Sequence, residues 1–425
     1  MGIRGDDSGQ FLRARLSGAR RGAIAGAVIS ACADDSMVGP AMEFLKYYTR
    51  GFASPVSPQN FAAMADSVSS VAYLLANAQH QHHLGTLVDF AQPYLVSVVD
   101  CVIKTPPNQQ NVELLASLLD VFMNGIDTCS FSLSTQVISW MLHSSVSIID
   151  MVGNVVRFSV EQIVPNLASN SPQKEREEQN QLKLLKASAA LILLAAQWGS
   201  MNISEFNETG SSDERERVVG QLCVDGMLLV LREARHTDLI EVPELNSIVF
   251  RLVKEVAQTH THFFLGVGQE HATTLLDATH WALCSADPTL INCGFAIVEA
   301  LTLAPNSADR MRRLLQRFLT ICIQAVINGT GADPQIQMSL SNAVFALGNV
   351  LGRDDLCSFF AEAVSQHPLL SKDGVGRNNR YVRVFAEAMF NEVQWGMDRK
   401  RRRMFAPILR RITMVIKGAN IFNFC

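Results

Sequence analysis

The chain has 425 residues, 48% of them apolar and 18% charged, with a formal net charge of −4. That balance suits a continuous buried core and excludes disorder, and the near-neutral charge excludes a general polyanion binder, so any basic site must be local. Nine cysteines at irregular spacing form no CxxC pair, which argues against zinc and disulfide frameworks and for reduced, mostly buried thiols in a cytosolic or nuclear protein.

Residues 1–57 have no assigned element. Within them, "RARLSGARRGAIAGAVISACA" (13–33) places arginines before a short apolar run. Asp6 and Asp7 precede it and the run is too short to span a bilayer, so it reads as an ordinary helix rather than a targeting peptide. No stretch reaches roughly 18 uninterrupted apolar residues, so no membrane span is expected.

From residue 58 onward, helical periodicity dominates and strand signals are nearly absent. Phe61, Met64, Val68, Val71, Leu74 and Leu75 recur at three- and four-residue steps, as do Ile336, Leu340, Val344 and Leu347. Prolines punctuate the segments at 106–107, 165, 172, 243, 288, 305, 334 and 368. The periodicity predicts seven helix pairs in chain order: 58–79 with 84–104, 108–126 with 134–160, 180–197 with 214–236, 243–260 with 269–285, 287–304 with 308–328, 334–351 with 354–366, and 377–393 with 399–417. One hairpin per 40–50 residues is the period of HEAT-type repeats. A single amphipathic hairpin cannot bury its apolar stripe alone, but stacked hairpins share a core. The expected fold is therefore all-α: an armadillo-like α-solenoid of HEAT-like helical hairpins over 58–425. Pro93 should kink its helix. Two polar stretches, 169–181 and 199–217, read as surface insertions, the second carrying Glu205, Glu208, Asp213, Glu214 and Glu216.

Catalytic chemistry is not recognisable. His80, His82 and His83 lie in a short tract that suits a polar turn better than a metal site. His260 and His262 end an apolar helix, where an imidazolium cap is a better reading than catalysis. "GVGQEH" lacks the third glycine of a dinucleotide loop, "GTGADP" lacks the Lys-Ser/Thr of a P-loop, and neither GxSxG nor HExxH occurs. The expectation is a non-enzymatic protein with no cofactor and no metal.

The run Arg399 to Arg403 is the sharpest local feature. On one helix over 399–417, Phe405, Ile408, Leu409, Ile412 and Ile416 fall within about 100° of arc. Arg399, Arg403, Arg410 and Lys417 form a stripe about 40° wide on another side. The run is then the charged face of the last helix, with Asp398 as a possible cap. Pro407 opposes a continuous helix. A partner-binding surface and a localisation signal are the alternatives for the basic residues. Nucleic-acid binding is least favoured, because no aromatic platform lies among them. The candidate partner-binding residues are Arg399, Lys400, Arg402, Arg403 and Arg410, together with the acidic Glu208, Asp213, Glu214 and Glu216.

Three stretches carry a family resemblance, in the same order and with similar spacing. They are "LVDFAQPYLVSVVDCVIKTPPNQQNVELLASLLDVFM" (87–123), "HTDLIEVPELNSIVFRLVKEVAQTHTHFF" (236–264), and the tail made of "RVFAEAMFNEV" (383–393) and "MDRKRRRMFAPILRRITMVIKGANIFNFC" (397–425). From about residue 84 the chain resembles the C-terminal part of nuclear transport receptors of the importin-β/exportin (karyopherin) family. The resemblance implies a receptor that shuttles between nucleus and cytoplasm, carrying protein cargo through nuclear pores in a Ran-GTP-dependent way and meeting nucleoporins. Cargo binding is expected on the inner, second helices of the hairpins, and the acidic stretch 199–217 is expected to modulate a basic partner. Family members are much longer, and the repeats that hold their main Ran site have no match here, so a C-terminal fragment or truncated form is expected. The alternative is a Ran-independent scaffold or adaptor.

Overall fold

The computed structural model describes residues 56–422 except 78–83, 130–134, 170, 203–211, 261–268, 305–306, 329–332, 367–375 and 397–398. Among the described residues there are fourteen α-helices and no strand. They are α1 Phe61–Asn77, α2 Leu84–Lys104, α3 Val112–Cys129, α4 Thr135–Phe158, α5 Pro172–Asn202, α6 Ser212–His236, α7 Pro243–Thr259, α8 Gln269–Leu283, α9 Pro288–Leu303, α10 Ser307–Ile327, α11 Pro334–Leu351, α12 Arg353–Gln366, α13 Gly376–Asn391 and α14 Arg399–Phe422. Every expected pair has its two helices. The fold is all-α and solenoid-like.

The helix starts follow from local chemistry. Pro172, Pro243, Pro288 and Pro334 open α5, α7, α9 and α11, where a missing N–H costs nothing. The carboxylate of Asp287 accepts from the Thr289 N–H at 2.7 Å, and that of Asp333 accepts from the Gln335 N–H at 2.8 Å. Each satisfies one of the donors that a helix start leaves unpaired. Gly352, with a φ of 103°, separates α11 from α12 in a single residue.

The chain divides into two compact units, Met1–Leu252 and Val253–Cys425. In the first, α1, α3 and α5 pack side by side, and α2, α4 and α6 do the same. Asn124 on α3 donates to the Ala72 carbonyl on α1 at 3.2 Å, and Phe122 meets Trp140 of α4 edge-on. Glu233 of α6 is buried and takes hydrogen bonds from Arg157 of α4 at 2.7 Å and from the adjacent Arg232 at 3.0 Å. Lys183 and Glu113 join α5 to α3 across the surface at 2.6 Å.

In the second unit, α9 packs on α11 and α10 on α12, continuing the same pattern. The last pair exchanges its order. The helix that comes first, α13, packs on α12, while α14 packs on α11 and α10.

Two expectations are corrected. The polar stretch 169–181 is not a loop: α5 begins at Pro172 and runs through it. Ser171 caps it, accepting from the Lys174 N–H at 3.2 Å, and its Glu, Gln, Lys and Arg residues are good helix formers. Gln181 is buried and donates to Ser159 at 3.0 Å, and Ser159 donates to Glu177 at 3.0 Å. These bonds fasten the polar segment to the π-helical turn Ser159–Ile163 after α4. Second, the stretch 199–217 is helical at both ends, where α5 continues to Asn202 and α6 begins at Ser212, and 203–211 lie outside the described residues. His260, just past the end of α7, is buried. Both α2 and α14 continue through their prolines, Pro93 and Pro407. The tract at His80, His82 and His83, together with His262, lies outside the described residues.

Candidate partner-binding surface

The last hairpin is held by aromatic packing. Phe345 of α11 stacks on Trp395 at 5.7 Å between ring centroids and meets Phe405 of α14 at 5.3 Å. Phe405 also approaches Phe390 of α13 at 6.5 Å and Trp395 at 5.9 Å. Phe345, Phe390 and Phe405 are almost wholly buried. The Trp395 ring lies over Gly348, where an added Cβ would stand 2.5 Å from it, so only glycine admits the indole here. Gly396 has a φ of 142°, and its N–H donates to Asn349 on α11 at 2.7 Å. The segment between α13 and α14 is thus pinned to α11, which places α14 against that helix.

This placement sorts the basic residues. Arg402 turns inward, pairing with Glu299 of α9 and donating to Asn342 of α11 at 2.9 Å. Burial holds the Glu299 carboxyl above its usual range, while Arg402 pulls the other way. Gln258, Ala296, Ala300, Leu303 and this ion pair line a groove of about 390 Å³. Arg401 bends back to donate to the Trp395 carbonyl at 2.5 Å. Lys400, Arg403 and Arg410 are exposed, as are Arg411 and Lys417. Arg399 opens the helix. The expected apolar face is in place: Phe405, Leu409, Ile412 and Ile416 are buried, with Ile408 at its margin.

The basic and acidic candidates fall in different units. Asp213, Glu214 and Glu216 lie in the first turns of α6. Glu205 and Glu208 lie outside the described residues, as does Asp398.

Sequence reasoning missed Glu299, Asn342, Asn349 and Trp395, which fix α14, and Arg411, which shares its outer face. Only the Trp395-Gly396 pair, between two amphipathic segments, was a local sign of a docked turn. Among the described residues there is no cluster of potential metal ligands, and no helix is long and apolar enough to cross a membrane. Cys223, Cys293 and Cys322 are buried, Cys101 and Cys357 half-buried, and Cys284 exposed. Burial pushes the Cys223 and Cys322 thiols far up, so neither is a thiolate at neutral pH.

A scan of protein-family models matches no family, and a search of curated proteins finds no match.

Proposed function

We propose that this chain is a nuclear transport receptor of the importin-β/exportin family, similar to the C-terminal part of exportin-4. In this reading it carries protein cargo through the nuclear pore together with Ran-GTP, meets nucleoporins, and shuttles between nucleus and cytoplasm. Receptors of the exportin-4 type carry the hypusine-bearing translation factor, which makes that protein the first cargo to try. The observation that carries the reading is the colinear resemblance of 87–123, 236–264 and 383–425 to the family. An α-helical hairpin array is compatible with it, because such arrays bind by extended surfaces rather than by a catalytic pocket.

The test is capture of cargo by this chain, supplied with the N-terminal repeats that carry the family's main Ran site, with Ran loaded with GTP or with GDP. The transport reading expects cargo and Ran to be retained together with GTP and lost with GDP. Retention of a protein partner irrespective of nucleotide would instead support a Ran-independent scaffold.

A further inference from the structure

The outer face of α14 is unlike the rest of its unit. Residues 376–425 hold 11 basic and 3 acidic side chains, whereas 253–375 hold 7 basic and 11 acidic. No Asp or Glu occurs anywhere in α14. Its exposed cations, Arg403, Arg410 and Lys417, recur every seven residues. At 1.5 Å per residue they stand about 10.5 Å apart, and seven residues leave them within about 40° of arc. Arg403, Arg410, Arg411 and Lys417 make no ion pair among the described residues. Beside this row, Met404 and Met414 are each more than half exposed, and Arg411 lies between them. Methionine is a flexible, polarizable contact residue that moulds to a partner.

A charged row at seven-residue spacing with exposed apolar side chains beside it is a pattern by which one helix reads another. We propose that the outer face of α14 docks an acidic helix of a partner protein. That helix carries Glu or Asp once per heptad opposite Arg403, Arg410 and Lys417, and apolar side chains against Met404 and Met414. Charge complementarity decides the sign of the partner, and the seven-residue period decides its form. Ribonucleic acid fits less well, because single strands need stacking platforms among the cations and this row has methionines in their place. A lipid surface fits less well, because a membrane-lying helix turns a broad apolar face outward and that of α14 is buried in the fold. The inference rests on this hairpin and not on the transport reading, and it survives if Ran proves irrelevant.

The test is fluorescence anisotropy with the full chain and a labelled helical peptide of about three heptads, with Glu and Leu at repeating positions. Its comparators are a peptide of the same composition in scrambled order, a uridine-rich RNA of about 20 nucleotides and phosphatidylserine vesicles. The heptad peptide is expected to bind about tenfold or more tightly than the scrambled one, and to weaken as salt rises. Replacing Arg403, Arg410 and Lys417 together by Glu should weaken binding by about thirtyfold or more, and Met404→Ala with Met414→Ala by roughly tenfold. Helical circular dichroism should be unchanged in both, since these side chains are exposed. If the Glu variant does not fold, the Gln variant at the same three positions carries the test. Equal binding of the scrambled peptide, tighter binding of RNA or vesicles, no response to the substitutions, or self-association through this face in light scattering would each overturn the proposal.

Discussion

Two joints between neighbouring hairpins solve one problem differently. In the first unit α4 meets α6 through Glu233, buried and shared by Arg157 and Arg232. In the second, α11 meets α14 through Phe345, Trp395 and Phe405. The carboxylate joint depends on ionisation and on two arginines that keep part of their hydration. The aromatic joint depends on shape and on a glycine that leaves room. The first should respond to charge with little regard for volume, and the second the reverse.

The largest expected effect is Phe405→Ala. It removes a buried ring from the aromatic joint and should lower the unfolding free energy by about 3–5 kcal/mol, read by urea denaturation. Phe405→Leu should cost distinctly less, which separates volume from aromaticity. Gly348→Ala comes next, at about 1–3 kcal/mol, because its methyl group must displace the Trp395 ring. Glu233→Gln keeps the shape of the other joint and removes its charge. A loss of about 1–2 kcal/mol is expected rather than the full value for a buried ion pair, because Arg157 and Arg232 are 39% and 50% exposed and can be rehydrated.

The smallest effect has the opposite sign. Burial raises the Asp120 carboxyl above its ordinary 3.8, against the pull of Lys183. A carboxyl whose folded pKa is raised holds its proton more readily when folded, so the fold gains stability as pH falls through the raised value and loses it as pH rises again. Asp120→Asn should therefore stabilise the protein at pH 7, by less than about 1 kcal/mol. That advantage should vanish as the pH falls toward 3.8. Thermal melts at pH 7 and pH 4 check it, and an advantage that grew on acidification would reverse the assignment.

Much of the architecture was legible in the sequence because it is written locally. The period of Phe405, Leu409, Ile412 and Ile416 alone determines which side of α14 is buried. Asp287-Pro288 and Asp333-Pro334 mark helix starts within two residues. The polar stretch 169–181 misled because charge density was read as a loop, although Ser171-Pro172 is itself a helix-start signal and the residues after it favour helix. What stayed hidden is non-local. That Arg402 turns inward while Arg403 does not depends on Glu299, more than 100 residues away in the chain. The exchanged order of the last pair depends on Trp395 finding Gly348, which no pattern within either helix announces.

The tethering of Arg401 and Arg402 has a consequence for proteolysis. Trypsin would meet five adjacent cleavage sites in the unfolded chain at Arg399–Arg403, yet a protease needs an extended, accessible backbone of several residues. Here that backbone is helical, and two of its side chains are tied to Trp395, Glu299 and Asn342. Under native conditions a cut in this cluster reports the rare opening of the last hairpin rather than the accessibility of its arginines. Its rate, compared between the wild type and Gly348→Ala, becomes a clock for that opening.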